Sequence, residues 1–289
     1  MPIRTARHVW RLTGVDPLAF LEATTTQAHL GQQPGETRWC CVLDAHGHVL
    51  AFLRSIPLDD ATVLLDGEPV CEPGIAWLSS IAFLSKCTIA EAEFGIVSCD
   101  AEEEPPVPNV AVSSRADGLE GTDIVVERAL VESCPSPTAE HEQARIASGW
   151  PRFGIDVTSD SILNDTPLLE LCTSFTKGCY RGQETVAKIH NLGHARRGYA
   201  RVFLSAPAAV SAGAPVLIAD QEIGRITSAA EHDTRPVAFA IVRREHVASD
   251  EAVVSGTPAR LEPVRIAGEP PKPATPPAPL RRSRAFGRR

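Results

Sequence analysis

The residues best equipped for chemistry stand in one run, Lys177-Gly178-Cys179-Tyr180-Arg181-Gly182-Gln183-Glu184. A thiol lies between two glycines, with Lys177 and Arg181 two residues to either side of it. Downstream, Val186 and Ile189 are three apart among polar residues, with Glu184 near the start and Asn191 and Gly193 near the end, which predicts a helix. Cys179 then falls just ahead of a helix N-terminus, whose partial positive charge joins that of the flanking cations in favouring thiolate over thiol. Glycine on each side lets the backbone take a positive φ or come close to a bound molecule. A cysteine in such a turn also reads as a small buried hydrophobe, and the residues alone leave both readings open.

The run resembles the signature of the YgfZ-type folate-binding proteins, relatives of the aminomethyltransferase (T-protein) of the glycine cleavage system. That signature is Lys-Gly-Cys-Tyr, one variable residue, then Gly-Gln-Glu, and Lys177, Gly178, Cys179, Tyr180, Gly182, Gln183 and Glu184 match its fixed positions. The resemblance implies a tetrahydrofolate-binding fold that lacks transferase chemistry and assists iron–sulfur assembly or client proteins, in bacteria also influencing an iron–sulfur-dependent tRNA modification. It further implies that the run, Tyr180 included, lines a folate-sized channel, with Lys177 and Arg181 meeting the glutamate tail of folate and Gln183 or Glu184 ordering the loop. Cys179 would be the reactive thiol, acting in redox protection or as one ligand of a shared iron–sulfur cluster, because one cysteine cannot complete a four-thiolate site.

Three other segments bear on the same site. Residues 149–156, with Arg145 four positions before Gly149, resemble the family's approach to its folate-facing segment. Trp150 reads there either as a stacking platform for the pteridine or as core. Counting back from Lys177, the family's pterin-binding Glu corresponds to Asp165, a carboxylate that still accepts two N–H bonds with a shorter reach. In the aminomethyltransferases an acidic pair follows the glycine of a hairpin and supplies the catalytic Asp, whereas here Ala51 and Phe52 occupy that place. Folate binding without transfer is the reading that follows. The alternative, a tetrahydrofolate-dependent aminomethyltransferase or demethylase, needs another carboxylate such as Asp165 or Glu184 within reach of the reacting nitrogen.

The elements that must position these residues are mixed. Residues 9–12 form a short strand, and Asp16-Pro17 caps a helix carrying Leu18 and Leu21. Residues 37–43 and 49–56 are β-rich and separated by Asp44-Ala45-His46-Gly47-His48, a hairpin whose histidines read as exposed loop residues. A strand at 61–65, a helix at 73–84, a strand at 86–90, a β-rich run at 122–130 and a helix from Ser136 to just before Gly149 follow. After Arg197 come short strands at 199–204, 215–219, 222–228, 237–242 and 259–263, the pattern of a small barrel or sandwich. The fold class is therefore α+β. By resemblance it is a T-protein-like three-part ring: two interleaved sheet domains over residues 1–195, a C-terminal β-barrel over 196–266, and a disordered Pro/Arg-rich tail over 267–289.

Composition narrows the function. At 289 residues and 43% hydrophobic content the chain can bury a sizeable core, and a net charge of -8 argues against direct nucleic-acid binding by the body. The tail from Gly268 onward carries +5 and leaves -13 for the rest, so it could fold back, bind RNA loosely, recruit a partner or serve only as a solubilising terminus. No apolar run has the length of a signal or a membrane span, so no membrane partner is expected and the cytoplasm is the expected compartment. Eight cysteines show no C-x-x-C and no metal-ligand spacing with histidine, as expected for free thiols in a reducing compartment.

Overall fold

The apolar residues of the first hairpin build the sheet on which the candidate site rests. In the structure, a computed structural model that describes residues 2–103, 109–193, 195–230, 237–264 and 266, Arg38–Leu43 and Val49–Asp59 pair antiparallel. Thr62–Gly67, His8–Gly14 and Cys87–Glu91 complete a five-stranded sheet in that order. The hairpin turn is closed by Asp44, whose Oδ1 accepts from the backbone N–H groups of His46 and His48 at 2.8 Å each. His48 Nδ1 lies 2.9 Å from Asp44 Oδ2, so this histidine locks the turn. The helix Pro17–Thr24 starts where Asp16 Oδ1 accepts from Ala19 N at 2.9 Å. The helix Glu72–Ala82, prolonged by a tight turn at Phe83–Ser85, lies directly on the sheet at Gly74, where a Cβ would come within 2.5 Å of Ala51 Cβ.

A second sheet is interleaved with the first in sequence. Ile3–Arg4, Phe94–Cys99, Thr122–Glu127 and Ala111–Ser114 stand in that order, so the chain enters through one sheet before crossing to the other. The β-rich run expected to reach residue 130 stops at Glu127. Arg128 donates to Ala92 O at 2.8 Å and the chain turns into the helix Arg128–Ser133, whose Val131 packs onto the bare Cα of Gly95. Further on, Ala139–Ser148 is a helix begun by Thr138, whose N–H donates to His141 Nδ1 at 3.1 Å, and ended by Gly149 at φ +85°.

The C-terminal strands close into a six-stranded barrel in the order Arg197–Leu204, Val237–Arg243, Gln221–Ala230, Pro215–Ile218, Ala252–Val254 and Thr257–Pro263. Four strands escape the sequence pattern: Ile3–Arg4, Ala111–Ser114 and Ala252–Val254 are too short to show a period, and Phe94–Cys99 has its alternation broken by Gly95. The tail from residue 267 and residues 104–108 lie outside the described residues. One apolar core runs from the five-stranded sheet through Trp150 and Phe153 to Tyr199 and Phe239 of the barrel.

Two buried ionic junctions bind the parts. Arg54, fully buried in the first sheet, donates to Asp66 Oδ2 at 2.8 Å and to Asp123 Oδ2 of the second sheet at 2.9 Å. Burial works to raise both carboxyl groups; Arg54 and Arg7 together hold Asp66 below its ordinary range, while Asp123 is pushed up. The other junction is Asp156. Its carboxylate accepts from Arg145 at 3.0 Å, from Arg152 N at 2.9 Å and from the barrel hydroxyls of Thr227 and Ser228 at 2.5 and 2.7 Å.

Candidate functional site

Residues 177–184 form a half-buried turn, exposed at Gly178, Cys179 and Glu184, that leads into the helix Gln183–Leu192 and docks on the hairpin. Gly182 takes φ +81° and approaches so closely that a Cβ there would lie 2.5 Å from the carbonyl oxygen of Asp44. Gln183 Oε1 accepts from Tyr180 N at 3.2 Å and ties the loop to the helix start. Lys177 Nζ donates to the carbonyls of Thr25 and Gln27 at 2.6 and 2.9 Å and lies 5.3 Å from the Tyr180 ring centroid. Partial burial pulls the Lys177 ammonium below its ordinary range despite Glu22, and burial pushes the Tyr180 phenol up to about 12. Arg181 stacks 4.8 Å from the Trp77 ring on the helix Glu72–Ala82, and Glu184 is exposed.

Cys179 is exposed at the tip of this turn, four residues before the first helical residue. The other thiols contrast with it: burial pushes Cys40 up to about 12 and raises Cys71 and Cys172. Such thiols behave as small hydrophobes, whereas Cys179 is open to a partner or a small reagent. Among the described residues no group of three or more His, Cys, Asp or Glu side chains is arranged to hold a metal ion.

Trp150 belongs to a different place, a cavity of about 710 Å³ where the N-terminal segment meets the helix Ala139–Ser148. Arg7, Glu68, His141, Arg145 and Arg152 line it with Trp150. The Trp150 indole packs edge-on to Trp39 at 5.1 Å and lies 6.2 Å from Phe52, which itself stacks on Trp39 at 4.8 Å. Two buried side-chain atoms of residues that line this cavity have no partner among the described residues: the indole Nε1 of Trp150 and the carboxylate Oε2 of Glu68. Glu68 Oε1 accepts from Arg7 at 3.1 Å. A buried donor and a buried acceptor left open in one cavity wall are costly unless something fills them.

Asp165 stands in neither place. Its Oδ1 accepts from the backbone N–H groups of Arg196 and Arg197 at 3.1 and 3.5 Å, fastening the linker into the barrel, and it lines a separate cavity of about 450 Å³ with Tyr199 and Thr227. The structure thus brings together Lys177, Tyr180 and Gln183, with Cys179, Arg181 and Glu184 on the same turn, and sets Trp150 and Asp165 apart from them. None of residues 177–184 lines any of these cavities. Ala51 and Phe52 are both fully buried, one beneath Gly74 and the other behind Trp150. Glu68 was hidden from sequence reasoning because it is a lone acidic residue between a strand and a helix, and the Arg7 that orients it is 61 positions away. What marks it in the structure is a single buried carboxylate oxygen, Oε2, without a partner among the described residues.

No protein-family model matches the sequence, and no curated protein matches it. Among solved structures, the crystal structure of glycine cleavage system aminomethyltransferase T from Bartonella henselae matches with a TM-score of 0.77 at 18% identity, covering 92% of this chain and 84% of that one. At that identity the likeness shows the fold: a mixed α+β architecture of several sheets with a closed C-terminal barrel, shared over nearly the whole chain.

Proposed function

We propose that this chain is a folate-binding protein that does not transfer aminomethyl groups and that assists iron–sulfur proteins through the exposed thiol of Cys179. The observation that carries the folate part is the 710 Å³ cavity, two of whose lining residues, Glu68 and Trp150, each carry a buried polar atom without a partner among the described residues. A pterin edge presents adjacent N–H donors that a carboxylate such as Glu68 can accept, and an acceptor for the Trp150 indole N–H. Arg7, Arg145 and Arg152 in the same cavity are held by carboxylates, and Arg4, which donates to Ser136 Oγ at its edge, is the lining cation left to meet a glutamate tail. Supporting the absence of transfer, the positions where the resemblance places the acidic pair hold Ala51 and Phe52, both without access to solvent.

The cysteine part rests on the signature run and on the exposure of Cys179. Held by one thiol, an iron–sulfur cluster takes its remaining ligands from a partner protein or a small thiol. One observation favours the second reading, a tetrahydrofolate-dependent transferase: the open Oε2 of Glu68 is a carboxylate within the cavity and has the chemistry of a base.

Calorimetric titration with tetrahydrofolate tests the reading. Wild type binds; Glu68→Gln, which keeps the shape and replaces the carboxylate with an amide, and Trp150→Phe, which removes the indole N–H, each weaken binding by about tenfold or more, on the order of 1.4 kcal/mol. Equal affinity in all three proteins removes the cavity from consideration. Turnover of an aminomethyl donor by wild type and its loss in Glu68→Gln establishes the transferase instead. Reconstitution with iron, sulfide and glutathione, in wild type and Cys179→Ser, then asks whether a cluster spectrum requires that thiol.

A further inference from the structure

A third cavity, of about 720 Å³, opens at the end of the barrel where Arg197–Leu204 begins and Val237–Arg243 ends. Arg196, Arg197, Arg225, Arg243 and Arg244 all line it, and all five are exposed. Among the described residues none of these five guanidinium groups has an ion pair or a hydrogen bond. By contrast, Arg7, Arg54, Arg115, Arg145 and Arg152 each hold a carboxylate. Glu222 and Glu245 share the groove without engaging the guanidiniums, which leaves it with an excess of three positive charges in a chain of net charge -8.

The strand register makes this clustering costly. Arg197 and Arg243 are direct cross-strand partners, and Arg225 lies across from Ile241, two residues before Arg243 on the middle strand. All three side chains therefore leave the same face of three adjacent strands, and like charges placed directly opposite destabilise a sheet. With Arg197 and Arg243 on strands about 4.8 Å apart and Arg225 on the diagonal at about 7–8 Å, the spread guanidiniums offer donors to a line of anionic groups better than to one isolated charge.

We propose that this groove binds a small oligophosphate, a short chain of phosphate groups free or carried on a molecule of nucleotide size. Guanidinium forks match phosphate oxygens bidentately, and the volume falls in the range of small-molecule sites, about 300–1,000 Å³. The two glutamates in the wall interrupt the continuous basic track that a nucleic-acid backbone follows. They leave acceptors for hydroxyl or amino groups on the molecule that bears the phosphates.

Titration of the full chain with inorganic tripolyphosphate, compared with Arg197→Gln and Arg243→Gln, tests this. Wild type binds and its thermal midpoint rises with ligand; each substitution weakens binding at least tenfold and abolishes that rise. The ligand-free midpoint of Arg243→Gln equals or exceeds that of wild type, because the substitution removes a repulsion. ATP forms a second arm, and binding of ATP but not tripolyphosphate, lost in both variants, assigns the site to a nucleotide. No binding of either anion to wild type, or equal binding in all three proteins, overturns the proposal. So does binding of a short single-stranded RNA with no response to tripolyphosphate or ATP, which would make the groove a polymer track.

Discussion

His29 shows what a single buried polar residue contributes in this chain. It is wholly buried, with Nε2 2.9 Å from Thr25 Oγ1 and Nδ1 3.1 Å from Gln32 Oε1. Burial, reinforced by Lys177 and Arg38, lowers its pKa from the ordinary 6.5 to about 4. The fold therefore favours the neutral imidazole, and its contribution is fully present above about pH 6.5 and is lost as pH falls towards 4. The loss is on the order of 3 kcal/mol across that window. Urea denaturation at pH 7 and at pH 4.5 measures it: the wild-type midpoint drops, and His29→Gln shows a smaller drop over the same interval. Equal pH dependence in the two proteins would assign the acid sensitivity to other groups. The neighbourhood matters to the candidate site because Thr25, which touches His29, also presents its carbonyl to Lys177.

At the scale of elements, the docking of the signature helix on the hairpin depends on two glycines. Gly182 needs φ +81° and meets the Asp44 carbonyl, while Gly47, at φ +87°, faces Thr185 at a virtual Cβ distance of 3.2 Å. Gly182→Ala forces a side chain into a left-handed conformation and against backbone that cannot yield, so it lowers stability by about 1–3 kcal/mol and loosens the turn bearing Cys179. Hydrogen exchange reads this directly: amides of the helix Gln183–Leu192 exchange faster in the variant than in wild type while those of the barrel do not. Uniform acceleration across the chain would mean that the glycine supports global stability alone. This contact explains how much of the molecule could be read in advance. Local signals were sufficient for the Asp16-Pro17 cap, the Asp44 to Gly47 turn, the stop at Gly149 and the helix after Gly182, since each is decided within a few residues. The cavity wall was not readable in that way. Glu68 and Arg7 carry no pattern of their own, and Asp165 caps the linker at Arg196 and Arg197 because the barrel brings those N–H groups to it.

The whole molecule is held in register by buried charge where its sheets and barrel meet. Arg54 has no access to solvent, yet it makes five hydrogen bonds: two to Asp66, and one each to Asp123, Ser113 and the carbonyl of Ser114. Its guanidinium also lies 5.2 Å from the ring centroid of Trp39, and that of Arg7 lies 5.3 Å from the same centroid. Trp39 in turn supports Trp150 in the cavity wall. Sheet alignment and cavity shape are thus coupled through one side chain. Arg54→Met preserves much of the volume but strips Asp123 of its cation, and breaking a buried pair in this way costs about 3–5 kcal/mol. At about 2–4 °C per kcal/mol for a chain of this size, the thermal midpoint falls by about 10 °C. Adding Asp123→Asn removes the stranded charge, and the double variant recovers part of that loss. Recovery of stability without recovery of tetrahydrofolate affinity shows that Arg54 shapes the cavity through Trp39; recovery of both shows that affinity follows stability, and no recovery of either assigns the loss to the contacts with Asp66 and the second sheet's backbone.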